Sequence, residues 1–449
     1  MKMIRLPLLI LCMGALLLPT LAAQSTPAPT PTVADALSGG THSNTWIDTT
    51  TGHRVVRLTP EPYSNDLYFT ANAFTSDGLM IYGVLHQTGG KFDGGSTLYA
   101  LNLSTLQSRQ LVAQNTNSVV VARKSAMVYF TKPLDTRLYS VNADTGVIAK
   151  IGNLPPRADI QSLNADETLL VGTSTDVEPP VHQIDASKLK PTQVRAPWME
   201  LRLADQVPMT LFTVNVQTGK VNPILHSTDW LSHPQFSPTD PTLMLYCHEG
   251  PWQKVDRIWT IRADGSDNKL IHQRTVNDEI AGHEVWDADG VTIWYDLQIP
   301  RGQNFYLASY NTTNGARRWY SLDRDMYSLH YAVTPSHLFM AGDGAGENSI
   351  ARSKNARWIE LFVPVLSVVP TEIDQTKLVQ SGVLTATHLV SLSMQDYKLL
   401  EPNVRFSPDH KLVLFNGDMF GPSHVYAVEV AKATDVAPST TTPAPAAGQ

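Results

Sequence analysis

The sequence predicts an all-β fold and, within that class, a seven-bladed β-propeller closed by an N-terminal strand. Short alternating or β-branched runs such as MIYGVL, TLYALNL, MVYFT, TLFTVNV, TIWYDL and VYAVEV fill the chain. They are separated by turn formers such as SPTD, DADG, SPDH and ADTG, and no long amphipathic helical pattern intervenes. A phrase made of a polar lead residue, a turn four positions later and an inner β run also recurs in one phase. It pairs His233 with Ser237, His283 with Asp287, His330 with Thr334 and Asn403 with Ser407. Finally, the last repeat stops at VYAVEV without a fourth strand, whereas TGHRVVRLT at Thr51 to Thr59 is a spare strand ahead of the first repeat. Pairing those two removes an open sheet edge.

The opening stretch carries Lys2 and Arg5, then an apolar run, then Ala22 and Ala23, which is the build of a secretory signal peptide over residues 1–23. The expected location is therefore exported, periplasmic or secreted, with no membrane anchor after cleavage. The apolar run is interrupted by Pro7 and Pro19 and is shorter than the roughly 20 residues that a bilayer span needs. Residues 24–43 and 433–449 are rich in Pro, Thr and Ala, with too little apolar surface to offset chain entropy, and are expected to be disordered. The folded body is expected over residues 44–432. Beyond the signal only Cys247 remains, so a large apolar core rather than a disulfide must hold it. A net charge of −7 with no basic tract argues against a nucleic-acid partner.

Repeat units begin at Ala71, Ser118, Ile160, His233, His283, His330 and Asn403, at spacings of roughly 45 to 75 residues, as four-stranded blades with insertions would. A β-sandwich gives no reason for units in such phase. In a propeller the first strand of each blade lines the channel, so these lead residues are expected to form a ring, small or apolar on one side and His233, His283, His330 and Asn403 on the other. The expected result is a pocket off the axis.

A single histidine at such a position is more often a hydrogen bond to the next blade than a ligand. Three in successive blades, with Glu401 two residues ahead of Asn403, favour a site. Imidazole suits transition metals and carboxylate or amide oxygen suits Mn²⁺, Ca²⁺ or Mg²⁺, so His330, Glu401 and Asn403 are candidate ligands of a mixed, open metal site. CHEGPWQKVDRIW places His248, Glu249, Lys254, Asp256 and Arg257 in and around a loop able to reach the channel mouth. His233, His248 and Arg405 are the candidate substrate contacts. GDGAGE at Gly342 to Glu347 is read as a glycine turn, since no helix pattern follows it.

HPQFSPTDPTLMLYCHEGPW, VDRIWTI, GHEVWDADGVTIWYDL, AGDG and FSPDHKLVLF with HVYAVEV resemble the oligogalacturonate lyases, and the resemblance covers nearly the whole body. It implies a seven-bladed propeller that cleaves short α-1,4-linked galacturonate oligomers by β-elimination with a bound manganese ion. It also implies His283 as the catalytic base, Arg257 as its assisting cation and His330 as a metal ligand. The family's Q-x-x-H-P-H stretch is replaced here by Lys398 at the glutamine position and Glu401-Pro402-Asn403, which keeps oxygen donors but changes the metal corner. The expected partner is an acidic oligosaccharide. Two further readings stand beside the lyase: a non-catalytic envelope propeller that binds sugar acids or a protein, and a lyase or epimerase for a different uronate.

Overall fold

The computed structural model describes residues 44–88, 91–182, 195–347, 349–351, 353–367, 378–396 and 400–433. The expected signal peptide, the N-terminal linker, Lys398 and all but the first residue of the C-terminal tail lie outside them.

Antiparallel four-stranded units follow one another along the chain. The first consists of Ser64–Asp66, Leu79–Thr88, Lys91–Asn102 and Gln107–Thr116, and the next three, each a separate sheet, begin at Val119–Val121, Ala158–Leu163 and Trp230–Phe236. The fifth and sixth begin at Ile280–Trp286 and Tyr331–Val333. They share one eight-stranded sheet, because Arg317–Leu322 pairs in parallel with Val379–Ser391. In the last sheet Arg405–Phe406, Leu412–Gly417 and His424–Lys432 are completed by His53–Arg57, which pairs antiparallel with His424–Lys432, and Thr45–Ile47 is added outside it.

The buried residues fall into clusters that each bridge two successive units. Ile81, Leu98 and Val112 of the first unit meet Val128, Phe130 and Val141 of the second. Val56 and Leu58 join Leu414 and Ala427 of the last unit to Met80 and Tyr82 of the first, so apolar contact runs around the whole ring. Burial of aromatic and branched side chains at these seams is the stabilising term. Cys247 is a free, buried thiol.

The inner hairpin turns also tie units together. The Ser237 hydroxyl donates to the Gly290 carbonyl at 2.7 Å, and His337 Nε2 lies 2.7 Å from Asp287 Oδ2. One short helix, Arg195–Asp205, interrupts the third unit; the β-dominated pattern around it did not announce it. No helix among the described residues is long and apolar enough to cross a membrane.

Candidate active site

The expected ring of lead residues forms in part. His233, His283 and Asn403 all take left-handed backbone, with φ of 50°, 48° and 55°. The first two sit in β-bulges, where the register shifts between Ser232 and Gln235 and between Gly282 and Val285. A bulge bends its strand and re-aims the side chain, and a non-glycine residue held in this conformation stores on the order of 1–3 kcal/mol of strain, a common mark of functional positions. His330 lacks this conformation; it precedes its strand and is set by side-chain bonds. Ile160 departs from the expectation: it is 1% exposed and packs between the second and third units, because the bulge in its strand falls on Gln161.

A notch of about 50 Å³ opens among Tyr68, Phe69, His233, Trp252, Arg257, His283 and Glu401. His283 stands in it with Nδ1 2.8 Å from Asp296 Oδ1. Asp296 is fully buried and also accepts the Tyr327 hydroxyl. A carboxylate accepts, so Nδ1 carries the hydrogen and the Nε2 lone pair is left outward, the orientation a general base needs. Gly282 makes this possible, since a Cβ there would lie 2.4 Å from the Trp252 ring, which packs 5.4 Å from the His283 ring.

Arg257 is 4% exposed, and its guanidinium lies 4.0 Å from the centre of the Trp252 ring. Among the described residues its Nε has no hydrogen-bond partner and its guanidinium's bond to the Gly250 carbonyl is long at 3.5 Å, so donor capacity remains for a ligand. Burial alone would lower its pKa, but Cys247, Glu284, Glu249 and Asp296 around it raise it above the ordinary arginine value.

His330 meets His283 edge to face, with ring centres 5.1 Å apart. Asp343 fixes it: Oδ2 lies 2.6 Å from Nδ1 and Oδ1 accepts the His330 backbone N–H at 2.9 Å. Its Nε2 then faces Glu401 Oε2 at 3.9 Å and the Tyr68 hydroxyl at 3.5 Å. The Asn403 backbone N–H reaches Asp343 at 3.3 Å, and its side-chain Oδ1 is buried without a hydrogen-bond partner. Burial disfavours charge on His330, yet Asp343, Glu401 and Asp296 raise its pKa above that of an ordinary histidine.

These residues fit a divalent cation. A histidine whose Nδ1–H is held by a carboxylate presents Nε2 as metal ligands commonly do, and Glu401 and the unpartnered Asn403 oxygen supply hard donors beside it. Glu249, Glu284 and Glu401 also outnumber Arg257 around the notch, a field that attracts a cation and repels an acidic sugar. No group of three or more His, Cys, Asp or Glu side chains is gathered for a metal among the described residues.

Two expected substrate contacts are not brought to the notch. His248 stacks on Trp259 with ring centres 4.8 Å apart and pairs loosely with Asp229. Adjacent strand residues face opposite ways, so it is Glu249 that lines the notch, 3.5 Å from His233 Nε2. Arg405 is bound to Asp66 and to the carbonyls of Ala71, Leu67 and Tyr68, a latch between the last and first units. His233, stacked on Tyr68 with ring centres 5.7 Å apart, lines the notch. Sequence reasoning missed Asp296 and Asp343. The second lies in the AGDG stretch, which carries the family resemblance and a glycine turn but no assigned role for its aspartate, and a strand carboxylate paired across from a histidine is the available clue to the first.

Fold and site together describe a β-propeller with a carboxylate-backed histidine and a buried arginine at one end of its channel. Residues 37–434 match the sequence profile of the oligogalacturonate lyases, and the chain belongs to that family of enzymes. It is 26% identical to the oligogalacturonate lyase of Dickeya dadantii over 86% of this chain and 96% of that one. It is 27% identical to the oligogalacturonide lyase of Pectobacterium atrosepticum at the same coverage. Among solved structures, an oligogalacturonate lyase in complex with manganese superposes with a TM-score of 0.69 at 24% identity, covering 86% of this chain and 96% of that one. The oligogalacturonate lyase of Vibrio parahaemolyticus gives 0.67 at 23% identity, with the same coverage. These likenesses establish the fold.

Proposed function

We propose that this enzyme cleaves short uronate oligosaccharides, galacturonate oligomers first among them, by β-elimination. The observation that carries the reading is His283, locked through Nδ1 by buried Asp296 and facing a notch that also holds Arg257 and Glu401, with His330 packed edge to face behind it. The notch takes the uronate end of the chain and leaves the remaining sugars outside. His283 Nε2 removes the proton from C5, the electron pair forms the C4–C5 double bond, the C4–O4 bond breaks, and the departing oxygen takes up a proton from the imidazolium or solvent, so no water is consumed. Proton removal beside a carboxylate is difficult because the anion poorly accommodates the developing charge. A divalent ion, Mn²⁺ or failing that Ca²⁺ or Mg²⁺, held by His330, Glu401 and Asn403 would neutralise that carboxylate. Arg257 binds a second carboxylate or the bridging oxygen with its planar fork, while Trp252 and Tyr68 offer ring faces to the sugar. His233 completes the substrate contacts.

The test is His283→Ala on galacturonate di- and trimers, read by the ultraviolet absorbance of unsaturated uronate and by binding calorimetry. Product formation falls by about 10²-fold to 10⁴-fold with binding nearly intact; wild-type turnover would show that the base is another group. Export, expected from Lys2, Arg5 and the Ala22-Ala23 pair, belongs to the same reading, and the mass of the mature chain checks it.

A further inference from the structure

Tyr68, Phe69 and Thr70 divide the channel. On the far side from the histidines lies a larger cavity of about 450 Å³, within the range of small-molecule sites, and Phe69 and Thr70 line both spaces. Its charged groups differ in kind from those of the notch. Arg405 is neutralised by Asp66, and Asp287 is bound by His337 and the Trp294 indole. Glu167 accepts the Lys124 backbone N–H and the Ser125 hydroxyl, while Lys124 Nζ donates to the Ala165 carbonyl. Arg123 remains. It lines the cavity, its side chain is open to the cavity's solvent, and among the described residues it makes no hydrogen bond and no ion pair. Confinement by protein and the nearby Arg405 lower its pKa, as expected of a cation that lacks a counter-charge. Phe69, Phe74, Trp286 and Phe406 line the same cavity.

A guanidinium without a partner inside an aromatic-walled cavity of this size suits a ring-shaped ligand that carries a carboxylate: the fork takes the carboxylate in two parallel bonds and the ring faces take the sugar's C–H surface. We propose that this end of the channel is a second binding site, separate from the histidine notch, for a single uronate sugar, with Arg123 as its carboxylate anchor. Only the choice of a uronate rests on the proposed function; the anion site itself does not.

The experiment is calorimetric titration of D-galacturonate into the wild-type protein and Arg123→Gln, with galactose and acetate as controls. Galacturonate binds the wild type, and Arg123→Gln removes one site or weakens it at least about tenfold, the size of a lost hydrogen bond between charged groups. Galactose and acetate bind far more weakly. Because no carboxylate loses a partner, the melting temperature of Arg123→Gln is not lowered, and Arg123→Lys, which keeps the charge but not the fork, binds with intermediate affinity. Unchanged galacturonate binding in Arg123→Gln overturns the proposal, and galactose or acetate binding as tightly as galacturonate overturns the uronate assignment. Arg123-dependent binding in a protein that cleaves no oligomer would sink the lyase reading and leave this one standing.

Discussion

Asp296 carries two buried donors, and replacing it by asparagine separates their demands. The carboxylate accepts both His283 Nδ1–H, at 2.8 Å, and the Tyr327 hydroxyl. Asp296 and Tyr327 are both fully buried, so water cannot stand in. Asparagine of the same shape offers one acceptor oxygen. If the tyrosine keeps it, the amide NH₂ faces Nδ1, the imidazole moves its hydrogen to Nε2, and the lone pair aimed at the substrate is lost. Asp296→Asn therefore lowers kcat by about 10²-fold to 10⁴-fold, the range for loss of a positioned base, with KM nearly unchanged because Asp296 does not line the notch. Both buried groups keep a hydrogen-bond partner in that arrangement, so the melting temperature changes little. Adding Tyr327→Phe removes the competing donor, returns the amide oxygen to His283 and recovers part of the rate; a merely structural role for Asp296 would not produce this rescue. The assay is initial rate on trigalacturonate from the unsaturated-uronate absorbance. Wild-type kcat in Asp296→Asn, or a double variant no faster than the single one, refutes the reasoning.

Three further outcomes are expected. His330→Ala abolishes calorimetric Mn²⁺ binding and Asp343→Asn, which loosens the His330 ring, weakens it by about 10-fold to 100-fold; unchanged affinity in both rules out this corner. The His337–Asp287 pair stabilises the fold in a defined pH window. The Asp287 hydrogen bond raises the His337 pKa, so that contribution is complete below the ordinary histidine value and lost as pH rises through the raised one. Burial alone would raise the Asp287 pKa, but bonds from His337 and Trp294 lower it, so its share is lost as pH falls through the lowered value. The stability gap between wild type and His337→Ala is accordingly widest between about pH 4 and pH 6.5, at about 1 kcal/mol for this partly exposed ring, and narrows by about pH 9 in thermal melts. Deleting residues up to Arg57 exposes the edge of His424–Lys432 and removes Val55 and Val56, 0% and 1% exposed. At about 1.5–3 kcal/mol per buried side chain, the truncated protein melts well below the intact one or aggregates, and equal melting would contradict a role for that strand in the ring.

Much of the fold was legible because strands and turns are local: SPTD, DADG and SPDH mark the inner hairpins, and the spare strand at His53–Arg57 could be counted against a last repeat one strand short. The lead histidines were legible for the same reason, as a phase relation to a turn. The failures have physical causes that phase does not carry. A bulge shifts facing by one residue, which sent Ile160 into the seam between units. Strand alternation turned His248 away and put Glu249 in its place. Arg405 looked like a substrate cation, but its bond to Asp66 spans the first and last units, a long-range pairing that no local pattern announces. Asp296 and Asp343 act through hydrogen bonds across neighbouring strands, so their roles exist only once register is set, and Arg123 is marked out by the lack of a partner, which only the packed structure reveals.

The central claim is elimination, and product mass tests it most directly. Purified protein is incubated with trigalacturonate, with and without added Mn²⁺, and the fragments are weighed by mass spectrometry while ultraviolet absorbance is followed. Elimination predicts fragments whose masses sum to that of the substrate, one of them absorbing as a 4,5-unsaturated uronate, formed faster with the metal and about 10²-fold to 10⁴-fold more slowly by His283→Ala. Fragments that together gain one water, or intact substrate after long incubation of folded protein, would contradict it.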